Sequence, residues 1–244
     1  DEPDEPMPMV LTRTPYNAAA RASRTSSPDI AMVLPAADGE LVRDGYIVVF
    51  QDVRGRYGSQ GKYIVTMPVR GPFNTGKVDQ VTDTWDTIEW LLHNVPGNNG
   101  RVGITGVSYE GLLTVMALLE PHPALKAAAP MNSMVDSWMG DDFYHQGAFR
   151  TVMLPYIYRQ TATKDGSKTI PWGYYDSYSA VLEAGSIGEL GRRYGMERLP
   201  AWKRLIDHPA YDDYWQDQAL DKQLAKVPSK VPTLTVHSLF DQED

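Results

Sequence analysis

The stretch Arg101-Val-Gly-Ile-Thr-Gly-Val-Ser-Tyr-Glu-Gly-Leu-Leu113 decides the fold. A β-branched run ends in a serine flanked by glycines, and an apolar pattern with helical spacing follows it. The stretch therefore predicts a strand, a sharp turn and a helix, with Ser108 at the turn. A hydroxyl held there projects clear of its own backbone, as a nucleophile requires. Gly106 and Gly111 leave room for the bend, since a Cβ at either position would crowd it.

This motif is a variant of the nucleophile elbow. The common pattern has glycine two residues after the serine, whereas here Glu110 holds that position and Gly111 follows. A serine in an ordinary strand-to-helix turn is the alternative interpretation. The motif alone does not decide between the two.

Composition limits the class of protein. The chain has 244 residues, 42% of them hydrophobic, which is enough for one large α/β domain with a real core. With 31 acidic and 23 basic residues, its formal net charge is -8. This charge argues against nucleic acid or an anionic membrane as partner and suits a cationic or neutral ligand. Cysteine is absent, which excludes disulfides, thiolate metal sites and a thiol nucleophile.

The two ends of the sequence resemble cut points. No apolar run approaches the ~20 residues of a membrane-spanning helix. The first residues, Asp1-Glu-Pro-Asp-Glu-Pro6, are typical of a surface loop, and Asp244 comes just past a predicted strand. We therefore expect an internal piece of a longer protein, so a missing signal peptide carries little weight.

Strands and helices alternate along the first half of the chain, which predicts a parallel sheet. Strands are predicted at 7–14, 46–51, 102–107, 125–130 and 231–238; the second is almost continuously apolar, as in a strand covered on both faces. Helical segments are predicted as a turn within 17–27, a short helix over 29–37 that ends at Asp38-Gly39, and an amphipathic helix over 79–92. The last would bury a face made of Trp85, Ile88, Leu91 and Leu92.

The loop Asp52-Val-Arg-Gly-Arg-Tyr-Gly-Ser-Gln-Gly61 is rich in glycine and charge. A phosphate-binding loop is one interpretation, but the lysine–serine/threonine ending and the G-x-G-x-x-G spacing are both missing. We predict instead a structural loop held by an ion pair between Asp52 and an arginine.

The character of the chain changes at Met131. Residues 131–230 contain many aromatic side chains, no convincing core strand and predicted helices near 178–192, 199–206 and 211–226. We predict a first part of the α/β core over 1–130, a helical cap over 131–230, and a return to the core over 231–244. A cap inserted there would lie over the strand ends, where some of its aromatic side chains would line a ligand pocket.

Three strand ends carry groups that suit acyl transfer. In doubly wound sheets the ligand lies outside the carboxyl ends of the strands, where this chain has Tyr16, Ser108 and an acidic cluster. A serine nucleophile requires a base and a carboxylate that orients the base. Asp241, on the strand after the cap, is the natural acid in the chain order nucleophile, acid, histidine.

The base is the missing member of this set. All five histidines precede Asp241, and we interpret them as structural: His93, His122, His145, His208 and His237. His145 and His237 are the two to reconsider. We therefore expect the catalytic histidine beyond Asp244.

Four motifs together resemble the α-amino-acid ester hydrolases, relatives of cocaine esterase and of the X-Pro dipeptidyl peptidases. They follow the family's order along most of the chain: Thr14-Pro-Tyr16, the 52–61 loop, Gly106-Val-Ser-Tyr-Glu-Gly111 and Leu239-Phe-Asp-Gln-Glu-Asp244. The resemblance implies an α/β-hydrolase fold with a helical cap inserted before the catalytic-acid strand. It also implies a serine esterase or acyltransferase that works through an acyl-enzyme. The family's triad histidine and its C-terminal jelly-roll domain have no counterpart in these residues.

The resemblance implies a role for several residues. Ser108 would be the nucleophile and Asp241 the triad acid, while the Tyr109 backbone N–H and the Tyr16 hydroxyl would form the oxyanion hole. The positions that match the family's ammonium-binding carboxylates are Asp142, Glu243 and Asp244. Clustered carboxylates repel one another, so the cluster is costly without a cation. A solvated acidic loop is the alternative for these three residues.

The resemblance also sets expectations for ligands and assembly. The substrate would be a small α-amino ester or a β-lactam antibiotic with a free amine, with no cofactor, no metal, and no nucleic-acid or membrane partner. We expect a homo-oligomer, a tetramer by resemblance, in the periplasm or outside the cell. Two alternatives stay open: a related esterase or X-Pro dipeptidyl peptidase with another acyl preference, and a non-catalytic binding module on a hydrolase scaffold.

Overall fold

A computed structural model describes residues 5–173 and 175–241. In this part of the chain a parallel sheet has the order β2-β1-β3-β4, formed by β1 (Met7–Thr14), β2 (Ile47–Asp52), β3 (Asn98–Val107) and β4 (Leu125–Met131). The segment after Val231 extends the sheet beside β4, since Thr233 and Val236 form parallel bridges with Ala128 and Met131. The predicted parallel α/β fold is confirmed.

Helices fill the connections between these strands. They are α1 (Ala18–Arg21), α2 (Ile30–Val33), α3 (Ala36–Arg43), α4 (Gln80–Asn94) and α5 (Tyr109–Met116). The prediction of one helix that ends at Asp38-Gly39 is wrong, because Pro35 separates α2 from α3 and both residues lie inside α3. Gly39 permits the close packing of these two helices, since a Cβ there would lie 2.4 Å from the Ala31 carbonyl oxygen.

One face of the sheet packs against α4 and α5. The buried cluster combines alternate residues of the strands with the inner face of α4 and the residues just after α5: Met9, Leu11, Val102, Ile104, Ala128, Ile88, Leu91 and Leu118. Each of the larger side chains contributes about 1.5–3 kcal/mol by leaving water. The opposite face borders a groove of about 740 Å³ lined by Val10, Gly103, Thr105, Ala127 and Leu234 among others.

Two details of the predicted burial are wrong. Every residue of β2 is only half-buried, because β2 lies at the edge of the described sheet rather than inside it. In α4, Ile88 and Leu91 are buried as predicted, but Trp85 is 39% exposed and Asp83 is buried. Asp83 is drawn inward because its carboxylate pairs with the Arg54 guanidinium.

Residues 131–230 are mainly helical in the described part. Six helices are α6 (Leu154–Ala162), α7 (Ser177–Ala184), α8 (Ile187–Arg193), α9 (Pro200–Asp207), α10 (Asp213–Gln218) and α11 (Leu220–Lys226). Short 3-10 helices cover Thr151–Met153 and Met196–Arg198, and β5 (Tyr144–His145) pairs with β6 (Ala148–Phe149). The helix α6 was not predicted. The division of the chain at 131 and 231 stays a prediction.

The long helical segments predicted near 178–192 and 211–226 are each divided in two. Gly185 adopts the left-handed conformation and ends α7, and Ala219 has an extended backbone between α10 and α11. None of the helices in the described residues is both long and apolar enough to cross a bilayer.

The buried aromatic side chains described within 131–230 pack in two clusters. In the first, Phe143, Tyr144 and Trp215 pack with Tyr109 and Leu113 of α5. The second holds Leu154, Tyr158, Leu190 and Trp202. The first cluster attaches this region to the helix that follows Ser108.

Candidate active site

Ser108 occupies the bend between β3 and α5. Its backbone has φ 59° and ψ -122°, a left-handed conformation that residues other than glycine rarely adopt. Holding it costs of the order of 1–3 kcal/mol, which surrounding contacts must offset. The Ser108 N–H donates to the Met131 carbonyl at 2.9 Å, and the Ser108 carbonyl accepts from Leu112 N–H at 2.9 Å. The predicted strand, turn and helix with Ser108 at the turn are confirmed.

The two glycines of the motif are needed for different contacts. A Cβ at Gly106 would lie 2.4 Å from the Glu110 Cβ, so the end of the strand and the first turn of α5 would collide. A Cβ at Gly111 would lie 2.4 Å from Ser133 Oγ and 2.8 Å from the Met131 carbonyl oxygen. Gly111 thus permits close packing of α5 against the end of β4.

Glu110 occupies the position where the common motif has glycine, and its side chain forms an ion pair with Arg21. Its carboxylate is buried, and Arg21 Nη1 donates to Glu110 Oε1 at 2.5 Å. Arg21 also lies 3.7 Å from the Asp38 carboxylate. The variant position therefore ties the nucleophile turn to the segment that follows β1.

The loop that carries Tyr16 is held by hydrogen bonds at both ends. The Tyr16 N–H donates to Thr14 Oγ1 at 3.0 Å, and the Ala18 N–H donates to Asp52 Oδ1 at 2.7 Å. Asp52 also accepts from the Gly58 N–H, at 3.1 Å. The loops after β1 and β2 are therefore joined through one carboxylate.

The predicted ion pair between Asp52 and an arginine is wrong. Backbone N–H groups donate to the Asp52 carboxylate, one of them from the first residue of α1, where the amides lack an intrahelical partner. Arg54 pairs with Asp83 instead, and Arg56 donates to the backbone carbonyls of Pro15, Gln160 and Thr163. The side chains of the loop still act structurally, as predicted, but through other partners.

The side chain of Tyr16 lies close to that of Ser108, which lowers the Tyr16 pKa slightly against the stronger effect of burial. Its Oη also lies 3.2 Å from the Oη of Tyr156 on α6. Partial burial raises the pKa of Tyr16 to about 12, although 40% of the side chain is exposed. The Tyr16 hydroxyl is therefore protonated at neutral pH and is available as a hydrogen-bond donor beside Ser108.

Tyr109 presents its backbone and its side chain to different partners. Its N–H belongs to the first residue of α5, where amides lack an intrahelical partner and the helix dipole favours negative charge. Its side chain is fully buried, and its Oη accepts from the Thr66 N–H at 2.9 Å. The buried ring anchors the start of the helix next to Ser108.

Asp241 lies beside the end of β4. The Asn132 side-chain amide donates to Asp241 Oδ2, and the Asn132 N–H donates to the Val236 carbonyl at 2.9 Å. Asn132 follows Met131, whose carbonyl accepts from the Ser108 N–H. The structure thus brings the predicted nucleophile and the predicted acid to the same strand end.

Asp142 is buried, with 1% of its surface exposed. The loop around it is held by Arg150, whose side chain donates to the Asp141 carbonyl and whose N–H donates to the Phe143 carbonyl at 2.9 Å. A solvated loop therefore does not describe Asp142, whereas Asp141 is partly exposed and pairs with His145 at 2.6 Å. Glu243 and Asp244 lie outside the described residues.

Four histidines make their described contacts with residues other than Ser108 and Asp241. His93 and His122 lie against Glu89, at 2.8 Å from its carbonyl and 2.9 Å from its carboxylate respectively. His145 pairs with Asp141 at 2.6 Å and His208 with Asp212 at 2.7 Å. These contacts agree with structural roles, including for His145. His237 is exposed.

Three residues at this site were not candidates from the sequence: Asn132, Tyr156 and Arg56. Arg56 belongs to the quoted 52–61 loop, and its place in that motif was the only signal available. Asn132 and Tyr156 approach the site through tertiary contacts, which no local pattern reveals.

A parallel sheet, a strained serine at a β–α turn and a carboxylate that follows the segment bridged to β4 are features of an α/β-hydrolase fold. The family model described as X-Pro dipeptidyl-peptidase (S15 family) matches residues 1–244. The chain belongs to this family.

Among curated relatives, cocaine esterase from Rhodococcus sp. (strain MB1 Bresler) is 28% identical over 250 residues, covering 98% of this chain and 40% of that protein. A solved α-amino acid ester hydrolase, labelled with selenomethionine, matches with TM-score 0.94 and 51% identity over 98% of this chain and 39% of its own. An aminopeptidase from a marine sediment archaeon, Thaumarchaeota archaeon, matches with the same values. The chain thus spans about 40% of the length of these relatives.

Proposed function

We propose that the complete protein is a serine hydrolase that cleaves esters and amides with a free α-amino group, including amino-β-lactam antibiotics. Ser108 Oγ attacks the acyl carbonyl, the alcohol or amine leaves, and water or another nucleophile then takes the acyl group from the serine. The observation that carries this proposal is the position of Ser108 at a strained turn, with the Tyr16 side chain close to it.

The catalytic machinery follows from the chemistry of acyl transfer. A histidine beyond Asp244 takes the Ser108 proton and later delivers it to the leaving group, while Asp241 orients that histidine. Negative charge develops on the carbonyl oxygen in the tetrahedral intermediate. The Tyr109 N–H and the Tyr16 hydroxyl donate to this oxyanion, and loss of one such donor typically costs ~3 kcal/mol, or about 100-fold in rate.

Asp142 is proposed to bind the substrate's α-ammonium together with Glu243 and Asp244. A carboxylate at ~4 Å from an ammonium gains about 4 kcal/mol at intermediate dielectric, before desolvation is subtracted. The burial of Asp142 supports this role, because a buried carboxylate gains more from a cation than a solvated one. Two structural neighbours at 51% identity, named an α-amino acid ester hydrolase and an aminopeptidase, act on substrates of this class.

Two measurements on the complete protein test the proposal. A fluorophosphonate probe should label wild type and should not label Ser108→Ala. Asp142→Asn should raise KM for phenylglycine methyl ester at least about 10-fold, a fraction of the charge-pair energy given above. It should leave the hydrolysis of phenylacetic methyl ester, which lacks the amine, nearly unchanged.

Asp141→Asn is the matched control, because Asp141 is adjacent in sequence but pairs with His145 instead. It should behave as wild type with both esters. If Asp142→Asn slows the hydrolysis of both esters equally, Asp142 does not recognise the ammonium group. The proposed role of Ser108 would be unaffected by that result. Absence of labelling in wild type would favour the non-catalytic binding module.

A peptidase with another acyl preference is the second candidate, favoured by the family description and by the aminopeptidase neighbour. Turnover of an alanine anilide and a Gly-Pro anilide should be compared with that of phenylglycine methyl ester. A higher kcat/KM on the Gly-Pro anilide would assign dipeptidyl-peptidase activity, and a higher value on the alanine anilide would assign aminopeptidase activity.

A further inference from the structure

The hydroxyl of Tyr156 lies within hydrogen-bond distance of the hydroxyl of Tyr16. Their Oη atoms are 3.2 Å apart, and the Tyr16 side chain lies close to that of Ser108. A phenol has one proton to donate and lone pairs that accept. If the Tyr16 proton points to the reacting carbonyl, the contact with Tyr156 must be one in which Tyr156 donates.

We propose that Tyr156 is a positioning residue for the oxyanion: its hydroxyl donates to Tyr16 Oη and directs the Tyr16 proton toward the carbonyl attacked by Ser108. Arg56 fixes the position of the loop that carries Tyr16 relative to α6, the helix that carries Tyr156. The inference rests on the proposed function, in which Tyr16 donates to the oxyanion.

Tyr156 is suited to be a permanent donor. Burial raises the pKa of Tyr156 well above that of an ordinary tyrosine, so its hydroxyl is protonated at neutral pH. A hydroxyl that accepts one hydrogen bond becomes a stronger donor itself, because successive bonds strengthen one another by about 10–30% each. The Tyr156 contact therefore both orients and strengthens the Tyr16 donor.

Arg56 joins the two segments through backbone carbonyls. Its side chain is 1% exposed, and it donates to the Pro15 carbonyl at 3.2 Å, directly before Tyr16. It also donates to the carbonyls of Gln160 and Thr163, at 3.0 and 2.7 Å, at the end of the helix that carries Tyr156. A guanidinium at a helix C-terminus is favoured by the helix dipole. One rigid side chain thus fixes the distance between the Tyr16 loop and α6.

A double-mutant cycle in the complete protein tests this arrangement. Tyr16→Phe should lower kcat about 100-fold, as for loss of one oxyanion donor. Tyr156→Phe should lower kcat about 1.5- to 4-fold with KM unchanged, since cooperative strengthening is about 10–30% of a bond whose loss costs about 100-fold. The double variant should match Tyr16→Phe alone, because Tyr156 acts only through Tyr16.

A second readout separates positioning from packing. A boronic acid forms a tetrahedral adduct with the serine, so its affinity should fall in Tyr156→Phe by the same factor as kcat. Tyr158→Phe is the control, since Tyr158 lies on the same helix but packs in the other cluster. It should leave kcat and boronate affinity unchanged.

The possible results distinguish the oxyanion role of Tyr16 from the positioning role of Tyr156. If Tyr16→Phe keeps full activity, the oxyanion role of Tyr16 fails and this inference falls with it. If Tyr16→Phe loses activity but Tyr156→Phe does not, or if the two losses in kcat multiply in the double variant, the oxyanion role of Tyr16 stands and the role of Tyr156 is overturned.

If Tyr156→Phe does not fold, Arg56→Lys replaces it in the same cycle. Lysine keeps the positive charge but lacks the branched guanidinium that reaches three carbonyls. Arg56→Lys should lower kcat in the wild-type protein but should cause no further loss when it is combined with Tyr16→Phe.

Discussion

The side-chain amide of Asn132 donates a hydrogen bond to Oδ2 of Asp241. Asn132 follows β4 with a positive φ of 42°, and its own N–H donates to the Val236 carbonyl at 2.9 Å. The residue before it, Met131, accepts from the Ser108 N–H. The end of β4 therefore determines the position of the nucleophile on one side and of the carboxylate on the other.

Replacement of Asn132 should affect catalysis through Asp241. In the complete protein, Asn132→Ala removes one donor to the carboxylate and should lower kcat/KM about 10-fold, the value of one hydrogen bond to a charged group. Asn132→Asp places a like charge beside Asp241, which raises the pKa of the carboxyl pair, and should cost more. Steady-state kinetics measures both. Asn94→Ala removes an exposed amide on α4 and should have no effect; equal activity in Asn132→Ala and wild type would contradict the prediction.

Gly111→Ala should disturb the nucleophile turn. The new Cβ would meet Ser133 Oγ at 2.4 Å and the Met131 carbonyl at 2.8 Å, so α5 must move away from β4. We expect a loss of about 1–3 kcal/mol in unfolding free energy, typical of overpacking, together with a fall in kcat. Urea unfolding and kinetics provide the two measurements.

Gly188→Ala is the matched control for this substitution. Gly188 lies in helix α8 with open space around the added Cβ. Alanine there should stabilise the protein by about 0.5–1 kcal/mol and leave activity unchanged. Equal responses of the two variants would show that the close contact at Gly111 is unimportant.

Local patterns in the sequence predict the elements that build the site. The β-branched run before Ser108 and the apolar spacing after it identify β3, the turn and α5, because both signals come from neighbouring residues. The predicted strands at 7–14 and 125–130 match β1 and β4 for the same reason. The helix prediction over 29–37 fails where Pro35 divides the segment and Gly39 packs on a neighbouring helix.

The partners of charged side chains could not be read from the sequence. Asp52 meets backbone amides, Asp83 is buried with Arg54, and Arg56 binds carbonyls from three separate places. These pairings join residues tens of positions apart, so no spacing rule encodes them. The contact of Tyr156 with Tyr16 has the same origin, since it depends on how α6 packs against the loop after β1.

Glu110→Gln should weaken the tie between the nucleophile turn and the segment after β1. The carboxylate is buried and bonded to Arg21, which is itself partly exposed. Among the described residues, loss of this charge leaves the Arg21 guanidinium with only the more distant carboxylate of Asp38. We therefore expect about 2 kcal/mol of destabilisation. Glu40→Gln breaks an exposed pair with Arg43 and should cost less than about 0.5 kcal/mol. Thermal unfolding of both variants gives the comparison, and a loss in Glu110→Gln as small as that in Glu40→Gln would exclude the tie.

Stability at alkaline pH should depend on Tyr144. Its hydroxyl donates to the Leu205 carbonyl at 2.6 Å, and burial raises its pKa to about 12. Because an unfolded tyrosine titrates near pH ~10, the folded state keeps a proton that the unfolded state has lost. The stabilisation is complete below pH ~10 and declines as the pH rises toward 12, by up to about 1.4 kcal/mol per pH unit.

Tyr144→Phe should therefore be less stable than wild type at pH 8. The difference in unfolding free energy between the two proteins should narrow between pH 10 and 12. The exposed Tyr178→Phe should follow the wild-type curve throughout, and a constant gap for Tyr144→Phe would show that its hydroxyl is not held in the folded state.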